Sequence, residues 1–467
     1  MIPAFLKYQK IPLLFGLLLS LFYLSFAYDL DRGDFTKLIL LYTACFLISY
    51  KLIEIGKSNF LLLGGIAIGL RLLFLPAIPN LSQDFYRFIW DGRMLLQGFN
   101  PYLTTPESFM IAQEYDIVHQ SRTLVQGMGA LNASNYTNYP PINQFLFGIA
   151  AFLSGKSITT SVVVLRVIII LADIGILIYG RKLLQKLKLP EYQVFWYVLN
   201  PFIIIEMTGN LHFESVMLFF LVMALYLLLC RRWIWSSIFF AFSISVKLIP
   251  LMLLPLAFQF LLSDRSSVFR YGQLLHRPQL IIKRIPRLIA FYGLTLGVVV
   301  VSFFPFLEGQ FYDNFGASVA LWFQKFEFNA SIYYIIRWIG FQTIGWNIIA
   351  DVGKILPLIV TGIILVISFF RKNSDALAMI SAMLLSISVY FLLSTTVHPW
   401  YIATPLLLGI FTRYRFPMLW SLMVFLSYSA YGNDGFKEHF GLIALEYLVV
   451  IGLAIYEMSY PKRRPIF

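Results

Sequence analysis

Residues 158–180 read ITTSVVVLRVIIILADIGILIYG, an apolar run interrupted by one arginine, Arg166, and one aspartate, Asp173. Wound as a helix rising about 1.5 Å per residue, such a run spans the roughly 30 Å hydrocarbon core of a bilayer. Comparable segments recur along the whole chain, at Ile11–Ala27, Lys37–Ile53, Phe60–Ile78, Phe213–Cys230, Leu288–Phe306, Ile344–Phe370, Ala376–Ser394 and Gly441–Tyr456. The 467 residues are 59% hydrophobic and only 13% charged, against about 25% charged in soluble domains. The expected fold is therefore an all-α polytopic membrane protein with about 12–14 transmembrane or half-spanning helices, forming one integral membrane domain over residues 1–467.

Several runs are too short to cross, among them Pro141–Gly155, Val194–Met207, Trp235–Val246 and Tyr401–Phe411. Helices that stop at membrane depth are tolerated only where protein or a wet cavity satisfies their ends. An internal site is expected on this ground. Two long, more polar stretches stand apart, residues 79–138 and 307–343. With the N-terminus inside, both fall outside the membrane as external loops. The formal charge of +13 follows the positive-inside rule, because Lys and Arg gather in short loops (Arg181–Lys188, Arg265–Arg287) and in the Lys462–Arg464 tail. Both termini are expected in the cytoplasm, and nucleic acid is not an expected partner. Lys7 and Lys10 precede the first apolar run, which is read as a retained helix and not a cleaved leader. Cys45 and Cys230 lie in apolar segments and imply no disulfide framework. The parity of the spans does not close around residues 140–180: either a short segment near Pro141–Gly155 is re-entrant or only half-spanning, or one basic loop breaks the positive-inside rule.

Chemistry concentrates in the first external loop. In SQDFYRFIWDGR, residues 82–93, two acids and two arginines stand among aromatics. Residues Asp84–Gln97 read as an amphipathic helix stopped by Gly98 and Pro101. At about 100° per residue Asp84, Arg87 and Asp91 share a face while Arg93 points away. The apolar positions Phe85, Phe88, Ile89 and Trp90 place this helix at the membrane interface. Glu107–Val125 and Ser331–Ile339 are further candidate surface helices. An acid facing a cavity can act as a general base, and an arginine fork suits phosphate oxygens. Surface ion pairs along the helix are the structural alternative. A second set of ionisable residues lies in or beside apolar runs: Arg71, Arg166, Asp173, Glu206, His212, Glu214, Lys247 and His398. Ions at membrane depth face a cavity or a partner. The histidines have no metal-ligand spacing; a divalent cation is compatible with two acids but nothing requires one, and no cofactor is expected. Four Asn-x-Ser/Thr sequons, at Asn80, Asn132, Asn135 and Asn329, fall in external stretches, where chance explains them as well as glycosylation does.

The segments SQDFYRFIWDGRMLLQGFNPY, NYPPINQFL, YVLNPFIIIEMTGNLHFES, SVKLIPLMLLP, FEFNASIYYIIRW and VHPWYIATP occur in this order. Together they resemble the landmarks of the glycosyltransferase-C superfamily, above all its polyprenol-phosphate-mannose-dependent mannosyltransferases. The resemblance implies an inverting transfer of a hexose, mannose first, from a polyprenyl-phosphate donor to a lipid-linked or surface glycan. The site would lie on the extracytoplasmic side of a bacterial plasma membrane. It also implies that Asp84 is the base and Asp91 a positioning or alternate base. Arg87, Arg93, Lys247 and His398 would meet the phosphate, while Tyr102, Glu206, His212 and Tyr401 would line the substrate pocket. Some relatives carry two acids separated by one residue; here they are seven apart, which favours a single base over a metal-binding acid pair. Trp90, Tyr102, Trp322 and Trp400 are candidate sugar-stacking rings. The rival readings are a transporter or flippase of a lipid-linked or polar solute and a polymerase or ligase of surface glycans.

Overall fold

The computed structural model describes residues 9–263, 282–432 and 435–460. The basic tail from Lys462, the Asn433 turn and most of the Arg265–Arg287 cluster lie outside the described residues. Among those described, the chain is almost wholly helical, with one two-stranded hairpin pairing Tyr431 with Phe436. Seven helices are long and apolar enough to cross a membrane: Lys10–Tyr28, Phe35–Gly56, Ile158–Leu187, Ile285–Phe306, Ile349–Phe370, Ala376–Leu393 and Phe440–Ser459. An eighth candidate span is broken, since Pro201–Gly209 and Glu214–Leu229 meet at 115°. Six shorter apolar helices complete the set, including Pro141–Ser154, Trp233–Val246 and Pro399–Ile410. The polytopic all-α expectation holds, and the short runs are short helices in the fold.

The break at residues 210–213 is held by ions. Its first arm ends in a π-helical turn, Ile204–Gly209, whose last carbonyls have no helical partner. Arg166 supplies them: its Nε donates to the Thr208 carbonyl at 2.7 Å and its Nη2 to that of Gly209 at 2.9 Å. Its Nη1 donates to the Leu75 carbonyl at 2.7 Å, tying the third helix, Phe60–Leu72, and its exit to the break. Asp173, seven residues further along the same helix, serves a different partner. It accepts from Arg71 Nε at 2.8 Å and from the Ser215 hydroxyl at 2.7 Å. Arg71 also donates to the Val198 carbonyl at 2.7 Å. The two charges of the 158–180 run thus clamp both arms of the broken helix to the Ile158–Leu187 span. Asn210, inside the break, accepts the Leu81 N–H at 3.1 Å. That bond passes the geometry on to the start of the first long loop.

The Asp84–Leu96 helix begins where expected, but its setting corrects the expectation of an interfacial helix. Phe85 and every residue from Arg87 to Met94 are buried, between the Pro141–Ser154 and Ser121–Ala133 helices. The close approach depends on Gly92, since a Cβ there would stand 2.2 Å from the Phe147 carbonyl oxygen. The 107–125 stretch forms no single helix; it divides into Pro106–Ile111 and the start of Ser121–Ala133. In the second long loop, Phe311–Gln324 and Ile332–Thr343 are helical. Between them Phe328 exchanges backbone bonds with residues 395 and 397: its N–H donates to the Thr395 carbonyl at 3.1 Å and its carbonyl accepts from Val397 at 2.8 Å. This bridge holds the His398 loop against the second external loop.

A buried ion pair broken on one side leaves an uncompensated charge and costs about 3–5 kcal/mol. Asp173→Ala is therefore expected to lower the unfolding midpoint of the detergent-solubilised protein strongly. The apolar double variant Arg71→Met/Asp173→Leu should lose much less. An unchanged midpoint in Asp173→Ala would show that the pair does not hold the broken helix.

Candidate active site in a two-walled cavity

A cavity of about 1050 Å³ opens beside the N-terminus of the Asp84–Leu96 helix. One wall is polar and comes from the first long loop: Gln83, Asp84, Asn132, Asn135, Asn138 and Tyr139. Another part of the lining is apolar, with Ile249, Met252 and Pro255 from the turn after Lys247, and Val360, Ile364 and Leu365 from the Ile349–Phe370 span. Arg32, Lys247, His398, Trp400, Tyr401 and Tyr431 line it as well.

Asp84 occupies the first turn of its helix, where the aligned peptide dipoles favour an anion. Asp84 is half-buried and lines the cavity, and one carboxylate oxygen accepts a long 3.4 Å bond from the Tyr139 hydroxyl. Burial raises its pKa above the ordinary carboxylate range, while Lys247, Tyr139 and Arg32 pull in the other direction. An acid so held is a stronger base than an exposed one once ionised.

Asp91 faces elsewhere. It is fully buried, accepting from Arg87 Nε at 2.7 Å and from Gln144 Nε2 at 2.9 Å. Arg87 reaches both ways, lining the cavity while donating to the Asn132 and Asn135 carbonyls at 3.1 and 2.8 Å. The Arg87–Asp91 pair therefore fixes the asparagine-rich segment that forms the polar wall. Arg93 lies off the cavity, bonded to the His119 and Lys156 carbonyls and to Gln120. Tyr102 is fully buried and donates to the Tyr139 carbonyl at 2.6 Å, behind the wall.

Lys247 extends from the C-terminus of Trp233–Val246 into the cavity, ion-paired with Glu214. Glu214 starts the second arm of the broken helix, so the break delivers this carboxylate to the site. Tyr401 lines the cavity, its ring 5.8 Å from Lys247 Nζ. Glu206 and His212 sit below it: Glu206 accepts from the Tyr428 hydroxyl at 2.6 Å, and His212 Nε2 is 3.6 Å from Glu206. His398 is buried, and that burial, with Lys247 and Arg32 nearby, pushes its pKa down to about 3. At neutral pH its imidazole is uncharged, able to offer a hydrogen bond but no cationic charge. Trp400 is sandwiched, with the His398 ring 4.4 Å from it and the His212 ring 3.8 Å from it. Both faces of its indole are covered, and Trp90 is buried, so neither presents a free stacking face. The side chain of Trp322 lies outside the described residues.

Sequence reasoning placed Asp84, Arg87, Lys247, His398 and Tyr401 at one site, and the fold brings these together. It passed over Arg32, Tyr139, the asparagines of the 132–138 segment and Tyr431. Arg32 had a signal: its loop, between the first two spans, shares the side of the membrane assigned to residues 79–138. Among the described residues no group of three or more His, Cys, Asp or Glu is placed to hold a metal ion.

Asp91→Ala is expected to lower the unfolding midpoint, because it strands Arg87 and Gln144 in the interior. Asp84→Asn should not. A carboxyl whose pKa rises on folding stabilises the fold while protonated and loses that contribution as the pH climbs through the raised value. Near neutral pH the neutral amide should therefore unfold no earlier than the parent. The reverse ranking of the two variants would put Asp91, not Asp84, in the open cavity.

Comparison with known proteins agrees with this geometry. Residues 35–263 match the family model of the alpha-(1->6)-mannopyranosyltransferase N-terminal domain. An alpha-(1->6)-mannopyranosyltransferase A from Corynebacterium glutamicum is 26% identical over 183 residues, covering 38% of this chain and 34% of the relative. The alignment thus spans about a third of that curated relative's length. Asp84, Asp91, Glu214 and Lys247 fall inside the matched stretch, whereas Arg32, His398 and Tyr431 fall outside it. The resemblance carried by the motifs is borne out: residues 35–263, just under half of the chain, match the N-terminal domain model of the alpha-(1->6)-mannopyranosyltransferase family.

Proposed function

We propose that the protein is a membrane mannosyltransferase that moves mannose from a polyprenyl-phosphate carrier to a glycan or glycolipid hydroxyl on the extracytoplasmic face. The observation that carries this reading is the cavity's mixed lining, a polar part that includes Asp84 and an apolar part. A lipid-borne donor needs a place where an isoprenoid chain leaves water, and the apolar wall of Ile249, Met252, Pro255, Val360 and Ile364 supplies one. A sugar acceptor needs directional donors and acceptors, and the wall of Gln83, Asn132, Asn135 and Asn138 supplies those. The named relative's linkage makes an α-(1→6) bond to mannose the first product to look for.

In this reading Asp84 takes the proton of the acceptor hydroxyl. The freed oxygen pair attacks the anomeric carbon from the face opposite the phosphate. The bond from that carbon to the phosphate oxygen breaks, and polyprenyl phosphate leaves with the electron pair. Configuration inverts. Tyr139 orients the Asp84 carboxylate, and Glu214 holds Lys247 near the site. Preorganised donors of this kind act where charge develops and need no reorganisation during the reaction.

The test uses purified full-length protein, polyprenyl-phosphate mannose and an α-mannoside acceptor. Asp84→Asn is expected to cut transfer by at least roughly 10²–10⁴-fold, the worth of a general base. Because Asp84 works only when ionised and its pKa is raised, the parent's rate should fall on the acid side at a pH above the ordinary carboxylate range. Full transfer by Asp84→Asn would overturn the base assignment. Absence of transfer from any polyprenyl-phosphate sugar, with solute crossing proteoliposomes instead, would overturn the whole reading.

A further inference from the structure

Three cations line the cavity: Arg32, Arg87 and Lys247. Two are answered within the protein. Arg87 pairs with Asp91 at 2.7 Å, and Lys247 pairs with Glu214. Arg32 differs. Among the described residues it makes no ion pair, and its Nε is closed off from solvent with no hydrogen-bond partner. What holds it is a ring: the guanidinium lies 3.4 Å from the centroid of Tyr431. A cation–π contact fixes the plane of an arginine without an acid to compensate its charge.

We infer that Arg32 is the anion-binding residue of the cavity, and that the phosphate of the isoprenoid carrier is the anion it takes. This deepens the proposed function and rests on it. The chemistry of the ligand follows from the surroundings. The anion must carry a lipid tail, because the same cavity has the apolar wall of Met252, Pro255 and Val360. It must be oxygen-rich and compact, because the planar fork of arginine matches phosphate oxygens in pairs. Arg93 is spent on backbone carbonyls away from the cavity, and His398 is uncharged at neutral pH. Neither competes for the role. Arg32 also lies outside the stretch matched to the family model, so its placement is read from this fold alone: the loop after the first span meets the Tyr431–Phe436 hairpin near the C-terminus across the cavity mouth. Tyr431 positions Arg32, and Arg32 meets the phosphate.

The experiment compares binding of farnesyl phosphate and farnesol, two probes that share a tail and differ in the phosphate, to the purified full-length protein in detergent. The parent should prefer the phosphate at low salt, and the preference should shrink as ionic strength rises. Arg32→Gln keeps a planar group over Tyr431 and removes the charge. It should lose roughly tenfold to a hundredfold in farnesyl phosphate affinity, the worth of charged hydrogen bonds, while farnesol binding stays as in the parent. Arg32→Lys keeps the charge without the fork and should fall between; it also carries the test if the glutamine variant does not fold. An undiminished phosphate preference in either variant would overturn the assignment. The two fail separately: if Asp84→Asn abolishes transfer while Arg32→Gln still prefers farnesyl phosphate, the proposed function stands and the Arg32 assignment falls. A parent with no phosphate preference would overturn both.

Discussion

Charge in a chain this apolar has to be answered locally, and the positions of the answers decide the architecture. An ion taken out of water without a partner costs several kcal/mol, a large share of the margin by which most folds are stable. Arg71, Arg166 and Asp173 lie almost without solvent contact; Arg166 and Asp173 end on groups of the broken helix, and Arg71 holds Asp173 and the Val198 carbonyl just ahead of it. That requirement bends the Pro201–Gly209 and Glu214–Leu229 arms to 115° instead of letting them run as one span. The bend brings Glu214 to Lys247, and Asn210 to the backbone just ahead of Asp84. The site is a consequence of how two buried charges on one transmembrane run are satisfied.

Local rules go far in this sequence and then stop at a definable point. The start of the Asp84–Leu96 helix, its Gly98 stop and the helix end at Lys247 were all legible, because capping residues, prolines and periodicity act over a few positions. The separation of Asp84 from Asp91 was not. Helical periodicity puts both acids on one side of the helix, whereas the fold gives Asp91 to Gln144 and Arg87 and leaves Asp84 to the cavity. The burial of the helix was illegible for a related reason. Its amphipathic pattern suits a membrane surface equally well, and only Gly92, seated against the Phe147 carbonyl, marks a close partner. Pairings across the chain, Arg71 with Asp173 or Arg32 with Tyr431, carry no local signature at all.

The aromatic residues show the same limit from the other side. A tryptophan next to a histidine at a helix start, as in VHPWY, reads naturally as a sugar platform. In the fold Trp400 is the middle ring of a stack running from His398 at the cavity to His212 beneath it. Its work is to seal the cavity floor above Glu206 and Tyr428. That seal keeps His212 and Glu206 away from the water that Asp84 can reach. It also divides labour: the floor is apolar and rigid, while hydrogen-bonding capacity is concentrated in the 132–139 segment.

The arrangement leaves one asymmetry that bears on mechanism. Asp84 has cations in its surroundings, Lys247 and Arg32, but no ion pair of its own among the described residues. A direct pair would depress its pKa and weaken it as a base; full isolation would keep it protonated and useless. Lys247 is restrained by Glu214 and Arg32 is drawn over Tyr431, so both act on Asp84 at a distance without capturing it. An anion arriving beside Arg32 would cancel part of that pull. The base would then become stronger when a negatively charged donor fills the cavity, and the proton of the acceptor hydroxyl would be taken with the donor in place.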